Sequence, residues 1–292
     1  MVSLLLCALI IVSVVGYANN RMKDFIITNN NNIWYGMFPA LEQAGFVNAC
    51  SCRLHGESNI VEGTLNLALH VGDDVEKVLR NRKAFAEAVG VDANCFTTCQ
   101  QVHGSKVILV TEELVGSGAV NFADTIADTD ALITNLTDVP LMLFYADCVP
   151  VLFADLESGA IGLAHAGWRG TVANIGVKTL AAMGEAFGTK PQNVLVGIGP
   201  SIGACCYEVD DFVRDQAQGY EEFFTSKGGG KYQLDLWGMN VKQLVDAGVP
   251  AENIVVSGVC TNDNVELFCS YRAEQGKTGR MGVCLCARKI NK

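Results

Sequence analysis

The 292-residue chain is poor in positive charge: 21 lysines and arginines stand against 31 aspartates and glutamates, a net charge of −10. That balance excludes a nucleic-acid backbone as the partner, because neutralising phosphates over a long footprint needs an excess of cations. Any anionic ligand must be met by a local cluster of arginines and helix ends. Proline is sparse, with six residues, and there is no Pro/Ser linker, internal repeat or low-complexity tract. The sequence therefore reads as one domain, residues 21–292, behind an apolar segment, residues 1–20. None of the twelve cysteines belongs to a Cys-x-x-Cys pair of the zinc-ribbon kind.

What is present is apolar: half of the residues are hydrophobic, enough for a large core. The cysteines lie mostly inside strand-like runs. Cys50 and Cys52 are spaced to share one strand face, as are Cys284 and Cys286, and Cys205 and Cys206 are adjacent. Buried free thiols suit a reducing compartment and point to the cytoplasm. The run Leu4 to Val15, followed by the small residues around Gly16 and Ala18, pulls the other way. It lacks a preceding Lys or Arg and is shorter than the roughly 20 residues of a membrane span, so a secretory signal, a tether and a spurious upstream start all stay open.

The densest chemistry lies between Tyr145 and Gly170. Two β-forming runs, Leu141 to Phe153 and Ala160 to His165, flank the turn Leu156-Glu157-Ser158-Gly159 and read as a hairpin. With Asp155 opposite Ala160, Cys148 faces Gly167 and His165 is its diagonal neighbour, roughly 7–8 Å away between backbones. A thiol and an imidazole then share one space. Pro150 cannot donate to a ladder, which implies an edge or a break just after Cys148. Gly167-Trp168-Arg169-Gly170-Thr171 leads into a helical pattern through Val172, Ile175, Leu180, Met183 and Phe187, closed by Gly188. Free N–H groups at that helix start, with Arg169, would make an anion site beside His165; the plain alternative is a tight strand-to-helix turn, with Trp168 simply packed.

Elsewhere, Phe46 to Leu54 reads as a strand, and Asp73 caps a helix over Val75 to Val89 with Gly90 beyond. Cys95 to Val110 reads as two strands around a turn at His103-Gly104-Ser105. Ala127-Asp128-Thr129-Asp130 leads into a strand, Ala131 to Thr134; two aspartates one residue apart share a face that suits a metal or ribose hydroxyls, or make an ordinary solvated turn. Further strands run from Asn193 to Gly199 and from Ile254 to Cys260, with a helix after Asp235 between them. The stretch from Leu267 to Ala287 reads as a hairpin whose loop carries Arg272, Lys277, Thr278 and Arg280, a weak phosphate cradle. Strands and helices mix without a strict βαβ rhythm, which gives an α+β class: a single layered α/β domain with a mixed sheet.

Only four histidines are available: His55, His70, His103 and His165. Two of them with one cysteine can make a three-ligand N/S site with an open fourth position, the donor set of catalytic zinc. Spacing does not choose the trio. Cys148 as nucleophile with His165 as base is the metal-free alternative and fits a thiol hydrolase.

In chain order, NLALHVGDD, QVHG, ADTDALIT, ADCVPVLFAD, HAGWRG, GPSIGACCYEV, the Cys260-Thr261 pair and SYR…TGRM resemble the laccase-domain, or multicopper polyphenol oxidase, family, over residues 46 to 286. Its members are regarded as purine nucleoside phosphorylases. The resemblance implies that His103, Cys148 and His165 bind the metal, zinc or in vitro copper. It implies a fold similar to cysteine-hydrolase-like toxins, and phosphorolysis of adenosine, inosine and guanosine to base and ribose 1-phosphate. The same reaction on methylthioadenosine and deamination of adenosine are implied as well. Within that reading, Asp147 moves protons, and Arg53, Arg169, Thr171, Arg272 and Arg280 hold phosphate or substrate. The alternatives are a Cys148/His165 thiol amidase acting on cell-wall precursors, a copper-dependent polyphenol oxidase activity and a non-catalytic metal binder. Two departures stand out: the N-terminal apolar run, and Cys52-Arg53-Leu54-His55-Gly56 where the family often has Thr-Arg-x-Gly-Gly. A true laccase needs a blue-copper centre plus a three-copper cluster, more imidazoles than four histidines supply.

Overall fold

Strands that are apolar on both faces need a core on each side, and the chain builds three such cores among the described residues, 25–288 of a computed structural model. The apolar run Leu4 to Val15 lies outside them. In chain order the elements are β1 (Ile26–Asn30), β2 (Ile33–Met37), α1 (Pro39–Gln43), β3 (Phe46–Ser51), α2 (Val75–Val89), β4 (Val107–Leu109), β5 (Ala131–Thr134), β6 (Leu141–Tyr145), β7 (Val149–Asp155) and β8 (Ile161–Ala166). They continue with α3 (Trp168–Val172), α4 (Ile175–Phe187), β9 (Val194–Ile198), β10 (Glu208–Asp210), α5 (Asp211–Gln216), β11 (Phe224–Gly228), β12 (Lys231–Leu234), α6 (Leu236–Asp246), β13 (Ile254–Val256) and β14 (Met281–Ala287).

An antiparallel sheet, β1-β2-β3-β14-β6, faces a mixed one, β13-β9-β7-β8-β5-β4, in which β4/β5 and β9/β13 are parallel. Side chains alternate between layers with the two-residue period of a strand. Leu141, Leu143 and Tyr145 of β6 meet Leu152 and Leu163 between the sheets, while Met142 and Phe144 turn out to the layer of α2. Val149, Val151 and Phe153 of β7 face outward onto α4 and α6. The order of layers is thus α2, antiparallel sheet, mixed sheet, α4 with α6. Burying each of these side chains contributes about 1.5–3 kcal/mol, which explains how the layers can hold strained backbone at their rims.

The mixed α/β layering agrees with the sequence, but two large sheets stand where one was expected. The run Leu141 to Phe153 is cut at Asp147, whose φ of 83° turns the chain from one sheet into the other. The β7/β8 hairpin itself keeps the expected register: Val149 pairs with Ala166, and the Asp155 N–H donates to the Ala160 carbonyl at 2.9 Å. Pro150 stands in a central strand, at the point where pairing with β9 stops; the Gly199 carbonyl that its missing N–H leaves free accepts from the Ser201 hydroxyl.

Other boundaries moved for local reasons. Asn174, at φ 59°, separates α3 from α4, so the helix after Gly167 is two pieces. Asp74 rather than Asp73 caps α2, because the Asp73 carboxylate is taken by Ser58, Asn59 and Asn66. Of Cys95 to Val110, only Val107–Leu109 forms a strand; Thr97 and Cys99 make isolated bridges. The C-terminal hairpin is absent: Leu267 to Gly279 is turns, and β14 pairs with β3 and β6.

Candidate active site

Three elements bring the thiol and two imidazoles together. Cys148 follows the left-handed Asp147 at the start of β7, His165 is the penultimate residue of β8, and His103 comes from the loop before β4. Their ligating atoms lie within 4.8 Å of one another, and the two imidazole rings meet edge to face at 4.8 Å between centroids. Gly167, opposite Cys148, makes room: a Cβ there would stand 3.0 Å from the Cys148 Sγ and 3.2 Å from the His103 ring.

The anchor of the constellation is Asp130, fully buried immediately before β5. Its carboxylate accepts the N–H groups of Val102, His103 and Gly104 at 3.2, 3.0 and 2.7 Å, holding His103 in a left-handed turn (φ 59°) that costs about 1–2 kcal/mol. Its Oδ1 lies 2.8 Å from the His165 Nδ1. Such a carboxylate fixes the imidazole tautomer and leaves Nε2 for a metal or a thiol. Burial alone would raise the Asp130 carboxyl; the His165 contact and the backbone donors outweigh it and hold it below its ordinary range.

Electrostatics make an ion pair of the centre. Burial pushes the Cys148 thiol up, but the charge of His165 and hydrogen bonds from His103 and His165 bring it down to about 6. Burial pushes His165 down, but Cys148 and Asp130 raise it to about 9. Thiolate and imidazolium therefore coexist at neutral pH in the metal-free site. A soft sulfur, two imidazoles and an orienting carboxylate fit zinc or copper, and the exposed His103 leaves the trio reachable from solvent.

The expected substrate residues divide. Arg169 is exposed, with its guanidinium over the half-buried Trp168 ring at 4.3 Å. Arg272 caps the Tyr207 ring at 5.3 Å and donates to the Glu208 carbonyl. Arg280 stacks on Tyr271 at 5.4 Å and lies near enough to Cys148 and Asp147 to feel their charges. The charges of Arg169 and Arg272 reach Tyr207, which in turn feels the charge of Cys148. Arg53 and Thr171 are engaged elsewhere: the Arg53 guanidinium is committed to Glu274 at 2.8 Å and to the Val265 carbonyl, and the buried Thr171 hydroxyl donates to the Ala166 carbonyl and accepts from Asn240. Asp147 is also committed, accepting from the Thr261 hydroxyl at 2.7 Å and the Arg272 N–H at 2.6 Å, which makes it a brace for Cys148. His55 is exposed and left-handed, at the place of a family glycine.

Sequence reading missed three residues. Asp130 was seen only as half of a paired-aspartate motif, and its partner Asp128 is exposed; the pairing of Ala131 with Ala164 is what puts Asp130 across from His165. Tyr207 is kept protonated by burial and then by the charge of Cys148. His70 is exposed to solvent on one side and packs against Phe122 and Phe144 on the other; desolvation by those rings, then the charges of Arg280, Arg82 and His165, lower it below the ordinary imidazole value and favour the neutral ring. The clefts beside α2 are lined by none of His103, Cys148, His165, Asp130, Tyr207 or His70.

Residues 47–288 match the family described as multi-copper polyphenol oxidoreductase laccase. The chain belongs to that family. Within this laccase family, the chain is 40% identical over 243 residues to purine nucleoside phosphorylase YlmD of Geobacillus stearothermophilus, covering 82% of this chain and 89% of that protein. It is 39% identical over 222 residues to purine nucleoside phosphorylase YlmD of Bacillus subtilis, covering 75% and 80%. The crystal structure of YlmD from Geobacillus stearothermophilus superposes with a TM-score of 0.86 at 37% identity, over 91% of this chain and all of that one. No helix among the described residues is long and apolar enough to cross a membrane.

Proposed function

We propose that this member of the laccase family is a purine nucleoside phosphorylase, converting adenosine, inosine and guanosine with phosphate to free base and ribose 1-phosphate. The observation that carries the reading is the His103–Cys148–His165 donor set, braced by Asp130 and flanked by Arg169, Arg272 and Arg280, in a chain 40% identical to a protein of that name. Methylthioadenosine phosphorolysis and adenosine deamination belong to the same proposal, as do zinc as the metal, a cytoplasmic setting for the free thiols, residues 21–292 as one catalytic domain and kinship with the cysteine-hydrolase-like toxins.

Cys148, His103 and His165 would hold zinc, which would supply Lewis acidity toward the substrate and toward water. Phosphorolysis breaks the bond between the base nitrogen and ribose C1′ and forms one from C1′ to a phosphate oxygen. Positive charge develops on the sugar, and electrons leave with the base. Arg169, Arg272 and Arg280 supply the charge that seats phosphate, because none of them is paired with a carboxylate among the described residues, whereas the Arg53 charge is neutralised by Glu274 and the Thr171 hydroxyl is buried with both its bonds made. Tyr207, protonated, and His70, neutral, are the polar groups suited to hydrogen-bond the departing purine.

A second reading rests on one observation: Cys148, His165 and Asp130 have the order and charge state of a thiol–imidazole–carboxylate triad, which is the equipment of an amidase. One experiment separates the two. Metal-analysed protein is incubated with adenosine and inosine with and without phosphate, and bases and ribose 1-phosphate are followed by chromatography. Phosphate-dependent release of adenine and hypoxanthine, lost in Cys148→Ala and on chelation, is expected. No turnover by folded, zinc-loaded protein would sink the phosphorylase reading, and chelator-resistant amide hydrolysis blocked by Cys148 alkylation would establish the other.

A further inference from the structure

A second cluster of soft ligands lies apart from the trio. Cys205 and Cys206 sit in the turn that follows Gly203, and Cys260 and Asp263 lie at the start of the turn after β13. Their Sγ atoms and carboxylate oxygens all lie within 4.8 Å of one another. The Asp263 carboxylate is divided between two thiols: Cys205 donates to Oδ2 at 3.0 Å and Cys206 to Oδ1 at 2.9 Å. Cys260, buried, accepts the Gly203 N–H on its sulfur at 3.3 Å, the way backbone amides stabilise a thiolate ligand. Gly203 lies close against the cluster: a Cβ there would stand 3.0 Å from the Trp237 ring, 3.2 Å from the Cys205 Sγ and 3.4 Å from the Cys260 Cβ, so a side chain would press on the sulfurs.

We propose that Cys205, Cys206, Cys260 and Asp263 form a second metal site, a three-thiolate, one-carboxylate centre for a thiophilic divalent cation, zinc in the first instance. Tetrahedral zinc with bonds of about 2.3 Å places its sulfurs about 3.8 Å apart, a modest contraction of the present cluster. Four protein ligands close the coordination sphere, so the site is structural where the His103–Cys148–His165 trio is open. Cys205 and Asp263 are exposed, which gives the ion an entry path.

The consequence reaches the active site. Thr261, beside Cys260, donates to the Asp147 carboxylate, and the Ile202 N–H, beside Gly203, donates to the Asp147 carbonyl at 2.9 Å. Closing the four ligands on an ion clamps both loops that hold Asp147, and with it the turn that presents Cys148.

The test uses the full chain, reduced and stripped of metal, titrated with Zn2+ against a chromophoric chelator. Wild type is expected to hold two ions, His103→Ala one, and His103→Ala combined with Cys205→Ser and Cys206→Ser none. Co2+ bound to His103→Ala should show the strong thiolate charge-transfer absorption of a several-sulfur tetrahedral site, and Zn2+ should raise the thermal midpoint of that variant. The proposal is overturned if His103→Ala takes up no metal, or if the metal it binds survives the double serine change. Circular dichroism of the serine variants reports whether they fold, and a Cys206→Ser single change, keeping three ligands, should weaken the site while leaving the fold intact.

Discussion

Asp130 and His165 stand opposite each other where β5 meets β8, joined twice: the His165 N–H donates to the Asp130 carbonyl at 2.8 Å, and the Asp130 Oδ1 lies 2.8 Å from the His165 Nδ1. The same carboxylate holds the His103 loop, so one side chain sets two of the three expected metal ligands. Asp130→Asn keeps the size and one oxygen but loses the charge. It is expected to weaken zinc binding about 10–100-fold, the cost usual for losing such an orienting carboxylate. Chelator competition measures it; unchanged affinity in a folded variant would remove Asp130 from the site.

The pH dependence follows from the ion pair. His165 is raised to about 9, so its stabilising contribution is complete below the imidazole's ordinary 6.5 and disappears as pH climbs through about 9. Cys148 is depressed to about 6, so its contribution is complete above the ordinary thiol value of 9.0 and disappears as pH falls through about 6. The thermal midpoint difference between metal-free wild type and Cys148→Ala should therefore shrink as pH falls through about 6. Between about 6 and about 9 zinc must displace the His165 proton, so its affinity should rise about tenfold per pH unit and level off above about 9. A flat affinity profile would refute the imidazolium assignment.

Gly167→Ala tests the clearance beside the trio. Its φ of −61° suits any residue, so the backbone is unstrained and only the Cβ, 3.0 Å from the Cys148 Sγ, intrudes. Displacement of the reacting groups by a fraction of an ångström to an ångström is expected to lower turnover about 100-fold with little loss of stability. Steady-state kinetics beside a melting curve decides it.

Arg53→Met breaks the ion pair with Glu274 and is expected to cost about 3 kcal/mol by urea denaturation, since both side chains are largely withdrawn from water. Arg169→Ala, by contrast, should raise the KM for phosphate severalfold at unchanged stability. If Arg53→Met instead raises that KM without destabilising, the assignment of Arg53 to structure is wrong.

Sequence alone determined what is local. The Leu156 to Gly159 turn fixed the β7/β8 register, and with it the nearness of Cys148 to His165, because a tight turn leaves the following pairs no freedom. Asn31 and Asn32, at φ 50° and 68°, made the first hairpin turn, and Asp235 and Gly90 set helix ends by their own hydrogen bonding and backbone freedom. The tertiary structure alone decided which strands became neighbours. Pairing of β5 with β8 delivered Asp130, the split of one apolar run between two sheets placed Asp147 at a strained corner, and the folding of the turn after Gly203 against the one after β13 brought the distant Cys260 and Asp263 to the adjacent Cys205 and Cys206. An apolar alternation tells a strand which faces to bury; it does not tell it beside which strand to lie, because that depends on contacts between distant segments that satisfy all the layers at once.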